Sequence, residues 1–460
     1  MTIIKSISGI RGTIGGKPNQ NLTPIDVLKY ASSFGAFLKN KYPNKKIKVV
    51  VGRDARISGP MIQSLVQNTL VGLGIDCIDL GLSTTPTVEI AVTNENASGG
   101  IIITASHNPK NWNALKLLNN QGEFISSNDG DEILSIAENE DYNFSDIDNL
   151  GSIKPVSKYI DYHINKVLNL KYIDIESIKK SNYTVVVDGV NSTGGIIIPK
   201  LLSKLGVNCI GIHCKPTGEF PHDPEPLEEH LTDLSEAVIN NKADLGIVVD
   251  PDVDRLAFVD ENGKMFGEEY TLVACADFIL SKKTGNTVSN LSSTQALSKI
   301  TLKYNGNYFA SAVGEVNVVD LMKKQNAIIG GEGNGGVILP ELHYGRDAVV
   351  GIALFLSLLA ERKHTVSELK KTYPEYYSSK KKIILEPNMN VNNILSKIEN
   401  NYLDNNPVTI DGLKINFENS WVHLRKSNTE PIIRIYSEST SKNKADKLAK
   451  DFIKEIKKFI

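Results

Sequence analysis

Short apolar runs alternate with longer stretches of helical period through most of the chain. KVVVG at 48–52, Cys77–Leu80, the run from Ile101, Tyr183–Val187, Val207–Ile212, Asp244–Val249, Leu256–Asp260, Phe309–Val313 and Ala327–Gly330 read as buried strands. Between them Thr23–Lys39, Met61–Gly74, Thr87–Thr93, Asp161–Leu168, Gly195–Leu205, Gly267–Lys283, Val316–Gln325 and Gly345–Ala360 read as helices. The first of these opens on Thr23 as an N-cap, with Pro24 at the first helical position. Strands that alternate with helices predict βαβ units and mainly parallel sheets. Ligands of such sheets sit at the carboxyl ends of the strands, where Arg53 and Ser106 fall.

Two segments break this rhythm. Asn119–Lys158 is polar and acidic and predicts a helix near Asp131–Glu138 followed by a linker. Thr365–Lys382 predicts a helix and a basic linker. From Ile383 the texture changes. Helices at Val391–Leu403 and Lys442–Ile460 flank the two-residue alternations LKINF and WVHLRKSNTEPIIRIYSES, which predict a small α+β domain with an antiparallel sheet.

Composition narrows the function classes. At 460 residues the chain is long enough for roughly three or four domains. A net charge of −2 gives no electrostatic argument for nucleic acid or for an anionic membrane. The four cysteines are scattered without zinc-site spacing, which suits reduced thiols in a cytoplasmic protein. The N-terminus lacks an apolar signal core, and the longest apolar stretch, near Val349–Ala360, is too short and too interrupted to span a membrane.

Four loops carry candidate chemistry. In TASHNP a hydroxyl, Ser106, follows a strand, with His107 beside it and Lys116 on the next apolar run. No glycine flanks Ser106 at two residues on either side, so this is not a hydrolase nucleophile elbow. In DPDVDR a spacing of two predicts Asp250, Asp252 and Asp254 on one side of an extended segment. Clustered carboxylates repel one another unless a cation sits among them, and hard oxygen ligands suit Mg²⁺. An EF-hand fails at its sixth position, where Arg255 stands in place of glycine. Mg²⁺ commonly also holds a phosphate oxygen, which makes Ser106 a candidate phosphoserine. GEGNGG offers Glu332 and Asn334, a carboxylate and an amide suited to sugar hydroxyls, without the Lys and Ser/Thr of a nucleotide P-loop. RKSNTEPIIR offers Arg425, Ser427, Asn428, Thr429 and Arg434, a set of donors suited to a phosphate. Arg11, between glycines in SGIRG, presents a guanidinium to a phosphate or a sugar hydroxyl.

TASHNP, DPDVDR, GEGNGG and RKSNTEP, in this order and over essentially the whole chain, resemble the four active-site loops of the α-D-phosphohexomutase family, which contains phosphoglucomutases, phosphomannomutases and phosphoglucosamine mutases. The resemblance implies three related α/β domains with mixed sheets and a smaller C-terminal α+β domain around a central cleft. It divides the chain at 1–155, 156–255, 256–372 and 373–460, with one loop in each. It implies that Ser106 is the phosphorylated serine and that its phosphate oxygen binds Mg²⁺ together with Asp250, Asp252 and Asp254. Arg11, His107, Lys116 and Arg255 would be catalytic, Lys116 as an acid or base. Glu332 and Asn334 would contact the sugar, while Arg425, Ser427, Asn428, Thr429 and Arg434 would hold the phosphate that does not react. A hexose 1,6-bisphosphate would be intermediate and activator, and a small phosphosugar the partner, in a monomer or homodimer. A hinge near Ser378–Lys382 would open and close the cleft.

ISGIRGTIGG, GEGNGG and SNTEP look most like the phosphoglucosamine mutase branch, with phosphoglucomutase/phosphomannomutase activity as the alternative. Many relatives carry Ser-Gly-His after the sugar-loop glutamate, where this chain has Asn334-Gly335-Gly336. A phosphosugar-binding protein without activity and a phosphatase are the two other classes considered. The intact Ser106, three aspartates and phosphate loop disfavour the first. The need to shield a bisphosphate from water disfavours the second.

Overall fold

The computed structural model describes residues 2–6, 9–386, 389–426 and 432–459. They form two units, Met1–Phe278 with Asn334–Glu368, and Ile279–Gly333 with Leu369–Ile460.

The first unit contains a mixed sheet of seven strands in the order Ile4–Ser6, Gly9–Thr13, Trp112–Leu118, Gly99–Ile103, Lys48–Arg53, Asp76–Leu82 and Ile153–Pro155. The strands on the Lys48–Arg53 side pair in parallel, joined by crossover helices Gly59–Gly72 and Thr85–Asn94. Gly99–Ile103 and Trp112–Leu118 pair antiparallel, with Ile102 opposite Lys116. The Ser106 loop is therefore the tip of a hairpin at the carboxyl end of a central strand. Ile101, Ile102 and Ile103 are fully buried, as expected for a strand covered on both faces.

A second sheet follows the order Leu256–Asp260, Leu245–Val249, Thr184–Asp188, Asn208–Ile212. Leu256–Asp260, expected to open the third block, instead pairs antiparallel with Leu245–Val249 and forms the edge of the second sheet. DPDVDR is thus another hairpin tip. The helix Ala348–Arg362 is buried along nearly its whole length, capped by the Asp347 carboxylate on the N–H groups of Val349 and Val350.

In the second unit Tyr308–Ser311, Asn286–Asn290 and Ala327–Glu332 pair in parallel. An antiparallel sheet runs Tyr377–Ile384, Ile432–Ser439, Ser420–Lys426, Leu413–Phe417, and the helices Val391–Asn400 and Lys442–Ile456 supply the apolar core against it.

Two further expectations are corrected, and one strand was not foreseen. The supposed basic linker and hinge at Ser378–Lys382 is the middle of the strand Tyr377–Ile384, each residue paired with one between Arg434 and Glu438. Ser379, Lys381 and Ile383 share the inner face, with Ser379 and Lys381 both on Asp446, while Lys380 and Lys382 lie exposed on the outer face of an edge strand, a placement that discourages further strand pairing. The acidic segment holds a longer helix, Ser127–Asn139, capped by Ser126, and then the edge strand Ile153–Pro155. Asn286–Asn290, NTVSN, is a strand whose polar composition hid it from the apolar pattern.

Two buried networks hold the first unit behind the Ser106 loop. The Arg56 side chain is inaccessible to solvent, and all five of its N–H groups are used. Nε donates to Asp54 Oδ2 at 3.1 Å, Nη1 to the carbonyls of Pro109 and Trp112 at 2.7 and 2.9 Å, and Nη2 to those of Ser106 and Asn108 at 2.5 and 2.6 Å. Asp54 Oδ2 also accepts from Thr104 Oγ1 at 2.6 Å, so one ion pair spans the whole serine loop. In the second network Asp347 Oδ2 lies 2.8 Å from His163 Nε2 and 3.2 Å from His343 Nε2, and His343 Nδ1 lies 3.2 Å from Glu89 Oε2. Burial opposes the His343 charge, but Asp347 and Glu89 outweigh it and raise its pKa to about 10.

Arg56→Met is expected to destabilise the protein by about 3–5 kcal/mol, because Asp54 is left charged, buried and unpaired; urea unfolding measures it. For His343 the folded pKa lies above the ordinary value of about 6.5, so its contribution is complete below that pH and lost as pH rises through about 10. The stability gap between wild type and His343→Gln should therefore be largest at pH 6 and shrink progressively toward pH 10. An unchanging gap in unfolding titrations across that range would refute the assignment.

Candidate active site

Ser106 follows the strand Gly99–Ile103 and takes a left-handed conformation, φ +49°. Its N–H donates to Thr104 Oγ1 at 2.9 Å, and Arg56 holds its carbonyl. With the backbone fixed on both sides, Ser106 Oγ donates to Asp250 Oδ2 at 2.6 Å. His107 Nδ1 lies 3.4 Å from the same oxygen. Burial, and then the charge of Arg255, push the His107 pKa well below its ordinary value, so the imidazole is neutral at pH 7.

The aspartate loop is not the extended segment its spacing suggested. It folds back on itself: Asp250 Oδ1 accepts the N–H groups of Asp254 and Arg255, each at 3.1 Å, and Val253 is left-handed at φ +64°. Ser192 Oγ and Thr193 Oγ1 grip the Pro251 carbonyl at 2.7 and 2.8 Å, and Thr85 bonds Asp252 through both its N–H and its hydroxyl. The three carboxylates nevertheless converge. All are fully buried, and one oxygen of each lies within 4.8 Å of the others.

Such a cluster requires compensation. Lys116 Nζ reaches Asp252 Oδ2 at 2.7 Å and Asp254 Oδ2 at 3.4 Å, and Arg346 Nη2 reaches Asp254 Oδ2 at 2.8 Å. Burial opposes the charge of Asp254, but Arg346, Lys116 and Arg255 outweigh it and hold the carboxyl well below the usual range. Asp250 is pushed well above that range, first by burial and then by repulsion from Asp252 and Asp254. Burial likewise opposes the Lys116 charge, yet the two aspartates keep its pKa above the ordinary value. Asp252 Oδ1 and Asp254 Oδ1 are buried without a hydrogen-bond partner. Two unpartnered carboxylate oxygens beside a third carboxylate fit a hard divalent cation.

Arg11 lies on the strand Gly9–Thr13. Burial, and then the neighbouring charges of Arg255 and Arg346, lower its pKa. Arg255 is oriented by Glu225 Oε1, 2.9 Å from its Nη1. The first unit thus brings together Ser106, His107, Lys116, Asp250, Asp252, Asp254, Arg11 and Arg255. Asn334 in the same unit turns its Oδ1 onto the N–H of Gly336 at 3.2 Å. Glu332 in the second unit is buried and accepts from Asn290 Nδ2 at 2.9 Å and the N–H of Gly314 at 3.2 Å. Arg425 and Arg434 stand directly opposite each other on neighbouring strands, with Arg425 Nε 2.9 Å from Asp411 Oδ2. Ser427, Asn428 and Thr429 lie outside the described residues.

Sequence reasoning missed Arg56, Arg346, Glu225, Thr85 and Ser192. It favoured Arg53 at the strand end, but Arg53 donates to Gln63 and to the Asp54 carbonyl and takes no part in the cluster. RDAR puts two arginines three apart after a strand, and only the packing distinguishes the one that turns inward.

The chain matches, in order, the four parts of one family: phosphoglucomutase/phosphomannomutase alpha/beta/alpha domain I at residues 3–144, domain II at 158–263, domain III at 267–377 and the C-terminal domain at 380–455. It is similar to a protein of Thermococcus kodakarensis named phosphoglucomutase/phosphomannomutase, with 35% identity over 94% of this chain and 95% of the relative. It is also similar to a Sulfurisphaera tokodaii phosphoglucosamine/phosphogalactosamine mutase, with 34% identity over 98% of each chain. In fold it resembles a crystal structure of a phosphoglucomutase/phosphomannomutase family protein from Burkholderia thailandensis, with a TM-score of 0.84 and 23% identity over 99% of this chain and 98% of that one. With four domain matches in sequence and relatives above 30% identity along nearly their whole length, the chain is a member of the phosphoglucomutase/phosphomannomutase family of phosphohexomutases.

Proposed function

We propose that the protein is a phosphoglucosamine mutase, converting hexosamine 6-phosphate to hexosamine 1-phosphate through phosphorylated Ser106 and a hexose 1,6-bisphosphate. The observation that carries this reading is the hydrogen bond of Ser106 Oγ to Asp250, at the rim of a buried aspartate cluster that also binds Lys116. A hydroxyl there can carry a phosphoryl group next to a cation and next to guanidinium groups, which phosphoryl transfer needs more than covalent chemistry.

Asp250, Asp252 and Asp254 are proposed to hold Mg²⁺, which when bound supplies charge neutralisation for the phosphoryl oxygens. The chain's own residues do the rest. Arg56 fixes the serine loop so that Ser106 Oγ stays aimed at the cluster. Lys116, kept protonated by its two aspartates, is the proposed proton carrier: it gives a proton to the oxygen that loses the phosphoryl group and is reprotonated by the hydroxyl that gains it. His107 remains a neutral imidazole and so adds no competing cation at Ser106. Arg11 and Arg255 attract the phosphosugar. Glu332 and Asn334 are proposed to contact sugar hydroxyls. Arg425, paired with Asp411, and Arg434 face each other across neighbouring strands and place two guanidinium groups beside the loop that follows. Together with Ser427, Asn428 and Thr429 they are the proposed cradle for the phosphate that does not react.

The amino-sugar substrate follows the resemblance of ISGIRGTIGG, GEGNGG and SNTEP, and it agrees with the name of the Sulfurisphaera tokodaii relative. Glucose and mannose phosphates are the second reading, favoured by the name of the Thermococcus kodakarensis relative.

Turnover of glucosamine 6-phosphate should exceed that of glucose 6-phosphate and mannose 6-phosphate, measured with Mg²⁺ and a catalytic amount of hexose 1,6-bisphosphate. Ser106→Ala should lose at least ~10³-fold in kcat, together with the phosphorylated form seen by intact mass. Preference for glucose or mannose would move the substrate to the second reading. Full activity of Ser106→Ala would end the phosphoserine mechanism. Asp252→Asn should lose about 10–100-fold in Mg²⁺ affinity or more, as read by titration calorimetry on the purified chain.

A further inference from the structure

We propose that Arg346 is a positioning residue of this site: it holds Asp254 by Oδ2 and leaves Oδ1 for the cation, an assignment that rests on the mutase reading above. Arg346 lies two residues before the buried helix Ala348–Arg362 and is itself buried. Its Nη2 meets Asp254 Oδ2 at 2.8 Å, on the same oxygen that Lys116 approaches at 3.4 Å. The two cations therefore converge on one edge of the carboxylate, and the other oxygen has no hydrogen-bond partner, with Arg255 Nε standing off at 4.0 Å. Carboxylates that bind metals are themselves commonly oriented by such outer partners.

Two features reserve this seat. The first is Gly336. A Cβ built there would lie 2.3 Å from Arg346 Cδ and 2.9 Å from Cγ, so the arginine stem fills the space that any side chain at 336 would need. The Asn334-Gly335-Gly336 departure in the sugar loop is thereby matched to an arginine ten residues on. The second is Asp347. Its carboxylate is bonded to His163 and His343 and caps the following helix, which pins the backbone that launches Arg346. On its C-terminal side Arg346 runs directly into the capped helix, and among the described residues of the four motifs only Lys116 also holds the Asp254 carboxylate by its Oδ2.

The test uses the purified full chain and compares Mg²⁺ with Ca²⁺ by titration calorimetry. Removing a guanidinium changes the local charge equally for both ions, so a charge effect cancels in the ratio of their affinities. Orientation does not cancel, because Mg²⁺ demands near-ideal octahedral geometry and Ca²⁺ tolerates irregular ligand sets. In Arg346→Met the Mg²⁺/Ca²⁺ affinity ratio should fall about tenfold, with Arg346→Lys recovering part of it. Gly336→Ala leaves every charge in place and presses first on the arginine stem, at 2.3 Å from Cδ, and far less on Asn334 Oδ1, at 3.1 Å, and it should reproduce the fall. Should Arg346→Met not fold, Gly336→Ala carries the test. A ratio within ~twofold of wild type in folded variants would overturn the proposal. In turnover, kcat should drop with the sugar-phosphate KM unchanged; a raised KM at constant kcat would make Arg346 a substrate contact instead. If the wild type turned over none of the three hexose phosphates, the mutase reading would fail, while the metal ratio would still decide the role of Arg346.

Discussion

Three carboxylates buried within 4.8 Å of one another are the constraint on which the first unit depends. Left alone, they could not all remain charged: desolvation and mutual repulsion would protonate at least one. The fold answers from several directions. Asp250 keeps one oxygen on backbone N–H groups and the other on Ser106. Asp252 is held by Thr85 and Lys116, and Asp254 by Lys116 and Arg346. These partners come from residues 85, 106, 116 and 346, so the cluster is also what ties distant parts of the chain together. The oxygens left over are those that a cation would take.

The same constraint explains why both reactive loops are hairpin tips in sheets that are otherwise largely parallel. A βα turn ends in a helix N-terminus and presents N–H groups, which suits anions. The tip of a hairpin can be folded back and pinned from behind. Arg56 does this for TASHNP through four carbonyls. Ser192 and Thr193 do it for DPDVDR through one. Ser192 Oγ also accepts from the N–H of Ala55, so the two pinning devices touch each other. A shift in one loop is thereby opposed by the other, and the distance from Ser106 to the aspartates is fixed by buried groups.

Much of this was legible in the chain. The apolar runs located most of the strands, and Thr23 caps its helix with a Pro after it, as read. The convergence of Ser106, Lys116 and the three aspartates was expected from the resemblance of the four loops to a known family. The geometry of the aspartate loop did not follow, because a spacing of two describes an extended strand and Asp250 Oδ1 had folded the loop into a turn. Asn286–Asn290 was lost because its buried side chains Thr287, Ser289 and Asn290 are polar and hydrogen-bonded to Thr301, Tyr308 and Glu332, and Tyr377–Ile384 because a lysine-rich edge strand does not carry the apolar period. Arg346 and Arg56 were lost for another reason. Each looks like a surface arginine in a turn, and only burial against a partner distant in sequence gives it a role.

The charge count around Ser106 bears on the kind of ligand the site accepts. Lys116, Arg11, Arg255 and Arg346 face three aspartates and Glu225, so the charges balance until a bound divalent cation creates a positive excess. A neutral sugar would leave that excess standing in a buried place, where uncompensated charge is most costly. A phosphoryl group on Ser106, or a phosphosugar beside it, removes it. Affinity for phosphate is then greatest beside Ser106, the residue proposed above to carry the phosphoryl group. A ligand that carries phosphate at both ends satisfies that point in either orientation. The repulsion that made the aspartates need cations thus leads, through the surplus of cations recruited, to a site completed by a phosphate.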